Sequence, residues 1–151
     1  MAETTLSNLT AALDELATTL PAAINATLRD AGAEMVDAAR AKIGTEAPDW
    51  PALAPATIET KARRGQVGRV SPTDPLLASG ELRDSFTAAV GNGVLIFGST
   101  DPVARYHEHG TEHMPPRPVV APIAAEAGPR ITAAIREASK AAIIEALRRH
   151  R

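Results

Sequence analysis

Leu6, Leu9, Leu13, Leu16 and Leu20 follow one another at intervals of 3, 4, 3 and 4, the spacing that lays one apolar stripe along an α-helix. Pro21 interrupts the stripe, which resumes at Ile24, Leu28, Ala31, Met35 and Ala39 to Ile43. The pattern predicts either two helices or one helix kinked at Pro21, ending at Gly44. Thr5 or Ser7 would cap the first segment, and Pro21 would suit the first turn of a second, with Thr19 close to its cap. Two short heptads fall below the three or four that a coiled coil needs, so the default role is core packing.

From Thr45 to Pro75 the periodicity dissolves into Pro48, Pro51, Pro55, Gly65, Gly68, Pro72 and Pro75, which predicts a long loop holding a short helix over 56–64. Burying Trp50 there would remove roughly 200 Å² from water, enough to pin the loop, with Leu53 beside it. Leu76 and Leu77 then precede Ser79 and Gly80, and Ser79 can cap a helical turn that puts Leu82 and Phe86 on one face. Phe86 to Val90 and Val94 to Gly98 flank Gly91-Asn92-Gly93, which supplies the positive-φ residues of a tight hairpin turn. Two strands alone are marginal in water, so a third strand or a helical cover is required.

Val103 to His109 fits a short helix or a strand. Beyond it, Val119 to Ala127 is apolar and alanine-rich, Gly128-Pro129 breaks or kinks the run, and Ile131, Ile135, Ala138, Ala142 and Leu147 give another helical stripe. The elements sum to an α+β fold: a long or kinked N-terminal helix, a small antiparallel β-sheet built on the hairpin, and a C-terminal helix packed on the sheet. We expect a single domain over 1–151, divided into a helical region to 44, a Pro/Gly-rich loop over 45–75, the sheet and a His/Pro loop over 76–120, and the C-terminal helix.

Composition narrows the class. A chain of 151 residues fits one domain. Aromatics are only 3% while alanine is abundant, which favours close helix packing and makes oligomerisation plausible. The absence of cysteine excludes disulfides, thiolate zinc sites and a cysteine nucleophile. No apolar run approaches the ~20 residues of a membrane span, and the start lacks a signal-peptide layout, so synthesis and assembly are expected in the cytoplasm.

The net charge of −2 gives no global reason to expect nucleic-acid binding, yet the charges are unevenly placed. Up to Glu46, seven carboxylates stand against Arg29, Arg40 and Lys42, a balance of −4. From Arg130 onwards, six cations stand against Glu137 and Glu145, a balance of +4. The two ends are electrically complementary: either they are two solvated helix faces, or they meet head to tail between identical subunits. Lys61, Arg63, Arg64 and Arg69 form a basic, glycine-bearing segment expected to be mobile and to order on assembly. Without interleaved aromatics it offers DNA at most a nonspecific contact.

Chemistry concentrates between Tyr106 and Val120. His107, His109 and His113 lie here, and Pro115, Pro116 and Pro118 stiffen the backbone around Arg117, so the loop is built to hold a shape. His107-x-His109-x3-His113, with Glu108, has the ligand types that zinc or nickel prefers, and on a strand His107 and His109 would face one side. That would suit a metal-binding enzyme or module, but no helical ligand pair and no general base accompany the histidines. Ser79 lacks the glycines of a nucleophile elbow, and no glycine-rich phosphate loop is present. The sequence calls for no cofactor and no catalytic residue.

Trp50-Pro-x-Leu53, Leu77-x-Ser79-Gly80-x-Leu82-Arg83-x-Ser85, the glycine-turn hairpin, Tyr106-His107-x-x-Gly110 and Pro116-Arg117-Pro118, in that order, resemble the phage virion morphogenesis, or tail-completion, family of tailed phages and phage-derived particles, Mu-like ones included. Members often carry Gln and an aromatic after the His and an aromatic after Arg-Pro; here Glu108, His109 and Val119 stand in those places. The resemblance implies a structural virion protein of the tail or neck, assembled as a homo-oligomeric ring (a hexamer in such families) that completes the tail and helps join it to the head. Implied partners are further copies of itself and neighbouring tail-tube, terminator or head–tail connector proteins, with no membrane and with nonspecific contact to passing DNA as an open option. Tyr106, His107, Gly110, Pro116, Arg117 and Pro118 would then form a subunit interface. In it Gly110 permits close backbone approach and Arg117 offers a forked donor to a neighbouring subunit. Trp50, Leu53, Leu77, Gly80, Leu82 and Phe86 would anchor the fold.

Overall fold

A computed structural model describes residues 5–45, 50–63 and 71–151. Helix α1 runs without interruption over Leu6–Lys42, through Pro21. Thr5 caps it by accepting from the Asn8 N–H at 3.3 Å, and Gly44 leaves it at φ 88°. The expected break at Pro21 does not occur. Proline removes one ladder bond, to the carbonyl of residue 17, but Ala17 and Pro21 are both exposed, so water can satisfy that carbonyl while packing holds the turns on either side. Pro129 sits on the exposed side of the C-terminal helix in the same way.

Helix α2 spans Pro55–Arg63 and α3 spans Glu81–Asp84. They are followed by the hairpin, β1 (Phe86–Gly91) and β2 (Val94–Ser99), paired antiparallel with Ala88 opposite Phe97 and Val90 opposite Leu95. Asn92 and Gly93 turn the chain with φ 52° and 75°, the two positive values of the turn whose twist matches the strands. The turn is held to α1 by the Gly93 N–H, which donates to Asn25 Oδ1 at 3.0 Å. Among the described residues the sheet has two strands, and its cover is α1. That cover needs a glycine: a Cβ at Gly32 would stand 2.9 Å from Leu95 Cδ1 and 3.0 Å from Ala88 Cβ.

Helix α4 (Val103–His109) opens where Asp101 Oδ1 accepts from the Val103 N–H at 2.8 Å, and helix α5 (Val120–Arg149) closes the fold. The fold is α+β, with α5 packed along α1 and its first turn, through Val120 and Ile123, in the same core as Phe86 and Phe97. That core joins Ala39, Ile43, Trp50, Leu82 and Val119 as well, gathering the ends of α1, α3, the hairpin and α5 at one place.

Helices α1 and α5 run antiparallel. Glu15 meets Arg149 at 2.8 Å and His150 at 2.9 Å, and Glu34 stands 3.9 Å from Arg130. The opposite charges of the two ends therefore meet within one chain, which removes the sequence argument for a head-to-tail charge contact between subunits. The leucine stripe also changes meaning. In the first turns of α1 the residue that packs tightly is Ala12, 1% exposed, while Leu6 and Leu13 are 80% and 58% exposed. The hairpin stops near Asn25 and does not cover this end.

Gly32→Val should therefore lower stability by about 1–3 kcal/mol through overpacking, despite valine's better helix propensity than glycine. A denaturant titration against wild type checks this, and an unchanged midpoint would mean that the hairpin does not press on α1 at Gly32.

Candidate functional site

The histidine and proline segment is a joint that ties α4, the strap over 110–118 and the start of α5 to the loop that follows α1. Gly110 ends α4, donating its N–H to the Tyr106 carbonyl at 2.8 Å, with φ 73°. A Cβ there would lie 2.8 Å from the Met114 carbonyl oxygen and 2.9 Å from Pro116 N, so only glycine lets the strap cross so close. Thr111 and Met114 exchange backbone hydrogen bonds at 2.8 and 3.2 Å, and the Arg117 N–H donates to the His107 carbonyl at 2.7 Å.

Two charged side chains close the joint. Arg117 is only 5% exposed. Its Nη2 donates to the carbonyls of Pro51 at 2.9 Å and Ala52 at 3.2 Å, and its Nε donates to Pro51 at 3.3 Å. The fork expected to reach a neighbouring subunit is thus engaged inside its own chain, and the reason is burial: a guanidinium taken out of water must find acceptors, and the carbonyls of Pro51 and Ala52 supply them. Glu108 performs the matching task for α5. Its carboxylate accepts from the N–H groups of Val119, Val120 and Ala121 at 2.8, 3.0 and 2.8 Å, satisfying donors that the first turn of a helix leaves open.

Trp50, 8% exposed, enters from the opposite side, donating Nε1–H to the Pro118 carbonyl at 3.3 Å while Lys42 Nζ lies 5.3 Å from its ring centroid. Gly80 is buried at φ 94° before α3, and Leu82 and Phe86 are in the core with Leu77 against them. Leu53 is half-buried in the wall of a pocket of about 410 Å³, shared with Leu76, Met114, Lys61, His107 and His113.

Because α4 is a helix and not a strand, His107 and His109 are two residues and about 200° apart around it and do not share a side. The strand geometry on which the HxH pair would share one side is therefore absent, and among the described residues no group of three or more His, Asp or Glu stands together. His107 is half-buried, and its Nδ1 has no hydrogen-bond partner. Burial first, and the Arg117 charge second, hold its pKa below the usual histidine value, with Asp101 opposing. Tyr106 is 52% exposed on the outer side of α4, while Pro116 is exposed and Pro118 half-buried. The structure thus places Tyr106 and Pro116 outward and directs Gly110 and Arg117 inward.

Of the basic segment, Arg64 and Arg69 lie outside the described residues. Lys61 donates to the Asp74 carbonyl, its pKa lowered by burial against the opposing pull of Asp74, and Arg63 pairs with Glu59 one helical turn back. The residue that sequence reasoning missed is Glu108. It reaches donors 11 to 13 positions away, so no local capping pattern marks it; its only sequence signal is a carboxylate where the resembling family often has an amide.

The fold and the joint together define an α+β domain in which a short helix, a proline-braced strap and a long helix are wired to one another through buried polar contacts. Such a domain presents shape. The chain belongs to the phage virion morphogenesis family, whose model matches residues 4–149, nearly the whole chain. Neither a curated protein nor a solved structure matches it. Membership gives the chain a part in the structure and assembly of phage particles.

Arg117→Ala should destabilise the isolated chain by about 2–4 kcal/mol, because the Pro51 and Ala52 carbonyls lose a buried charged donor, and Arg117→Lys should recover less than half. Chemical denaturation of both variants checks this; a wild-type midpoint for Arg117→Ala would return that residue to the subunit surface. A second expectation concerns pH. A depressed histidine pKa in the folded chain means that stability is full above the unfolded value of about 6.5 and falls as pH drops below it toward the lowered folded value. His107→Gln should flatten the fall in urea midpoint between about pH 6.5 and 5, whereas parallel curves for wild type and variant would assign the slope to other groups.

Proposed function

We propose that this chain is a structural component of the phage tail or neck, where copies of it form a ring that completes the tail and helps join it to the head. The observation that carries the reading is the family match across residues 4–149. The geometry supports it in a specific way. Arg117, Glu108 and the carbonyl of His107 are engaged within the chain, tying α4, the strap and the start of α5 to one another and to the loop that follows α1. A part whose function is to fit between neighbours needs that rigidity and needs outward apolar surface, and both are present here.

The test is removal of the coding sequence from a particle-producing genome, with complementation by a tagged copy. In its absence, electron micrographs should show filled heads and separate or abnormally finished tails, and the tag in complemented particles should label the head-proximal end of the tail. Intact, infectious particles without the chain would overturn the proposal, as would a tag found only in the lysate.

A further inference from the structure

The hairpin leaves the edge of β1 that lies beside α1 with unpaired backbone groups. A two-residue turn makes Gly91 and Val94 a hydrogen-bonded pair, and such pairs alternate along an antiparallel ladder, so Thr87, Ala89 and Gly91 point their N–H and C=O groups at β2. The Thr100 N–H, which donates to the Ser85 carbonyl, continues the same alternation. Phe86, Ala88 and Val90 therefore point theirs away from β2. The Phe86 carbonyl accepts from Arg40 Nη2 at 3.5 Å, while the N–H and C=O groups of Ala88 and Val90 have no partner among the described residues.

Along that edge runs a groove of about 370 Å³, walled by β1 and by one stripe of α1. Arg29, Ala33, Val36 and Arg40 recur at intervals of 4, 3 and 4 and so share one side of the helix. The contacts of Asn25 with Gly93 and of Arg40 with Phe86 show that α1 and β1 run antiparallel here. The groove is thus apolar in the middle and cationic at both ends. Neither arginine forms an ion pair among the described residues. The nearby carboxylates do not fill the groove. Asp30 and Glu34 line a separate pocket with Arg130 of α5, Asp84 pairs with Arg83 at 3.0 Å, and the exposed Asp37 stands about 60° round α1 from Arg40 without pairing with it.

We propose that this edge takes up an extended segment of a partner protein as a third strand, one in which two carboxylate residues flank an aliphatic residue, each two positions away from it. The backbone sets the class of ligand: unpaired N–H and C=O groups in strand geometry are matched by another strand. The side-chain pattern follows from spacing. Every second residue of a strand faces the same side, so the two carboxylates and the aliphatic residue between them face α1 together. The carboxylate positions are about 13 Å apart and Arg29 and Arg40 roughly 16–17 Å, a difference that two long arginine side chains absorb. The aliphatic side chain then meets Ala33 and Val36. A second copy of this hairpin does not fit, because neither strand carries a charged residue and β1 against β1 would bring two pairs of arginines together. In a particle the segment belongs to a neighbouring protein, and only that setting rests on the tail reading above.

Fluorescence anisotropy on the full chain tests this with labelled peptides capped at both ends. The probe is Thr-Glu-Thr-Val-Thr-Glu-Thr. One control replaces both glutamates with lysine. The other keeps every side chain but methylates the backbone nitrogens of the central Thr-Val-Thr, which removes donors and adds bulk against β1 in either strand direction. The chain should bind the probe with a dissociation constant below about 100 μM, and each control at least ~10-fold more weakly. Arg29→Gln with Arg40→Gln, folded by circular dichroism, should weaken probe binding about 5-fold, as expected for losing two exposed ion pairs. Probe binding should also slow amide hydrogen exchange at Ala88 and Val90. No binding at about 1 mM probe, equal binding of either control, or unchanged exchange at Ala88 and Val90 would each overturn the inference. Such a failure alongside normal labelling of the tail would leave the tail role standing.

Discussion

The guanidinium of Arg117 is the constraint around which this structure closes. A permanently charged group at 5% exposure is tolerated only with its donors engaged, and the acceptors it has are the carbonyls of Pro51 and Ala52, 66 and 65 positions earlier in the chain. Those carbonyls are held out by a proline-rich turn whose Trp50 is itself fastened to the Pro118 carbonyl. The loop after α1 and the strap before α5 therefore grip each other in both directions, tryptophan to strap and arginine to loop. Neither half holds its geometry without the other.

From that latch the remaining contacts follow. Strap and α4 are joined by the Arg117 N–H and the His107 carbonyl, and α4 is joined to α5 by the Glu108 carboxylate across the first turn of that helix. With its start fixed, α5 runs back along α1, where small residues such as Ala12 and Ala146 allow close approach and Glu15 collects Arg149 and His150. The hairpin lies across the other end of α1, seated by Gly32 and fastened at its tip by Asn25. A chain with so few aromatic residues reaches a defined shape in this way through backbone-directed polar contacts more than through a bulky core.

This arrangement separates two kinds of surface. The Arg117 guanidinium and the Glu108 carboxylate are satisfied by backbone atoms of the chain itself, while aliphatic residues at the helix tip and on the outer hairpin face are left in water. In a protein of the virion morphogenesis family, that division is in keeping with the structural role proposed above. The unpartnered Nδ1 of His107 is the one exception among the described residues, a buried polar atom whose protonation the fold opposes.

Much of this was legible in the chain itself. Apolar spacing marked α1 and α5, Asn92-Gly93 marked the hairpin, and the ordered Trp-Pro, Leu-x-Ser-Gly, His-x-x-Gly and Pro-Arg-Pro elements marked the family, because these signals are local and a helix or turn is specified within a few residues. The sequence could not determine that α1 and α5 pass through their prolines unbroken, since that depends on which side of the helix meets water. Nor could it show that the charged ends meet within one molecule, that Arg117 faces inward, or that Glu108 caps a helix 11 positions away. Each of those outcomes is a choice of partner between groups distant in sequence, and only the packing of α1, the hairpin and α5 brings the chosen partners into reach.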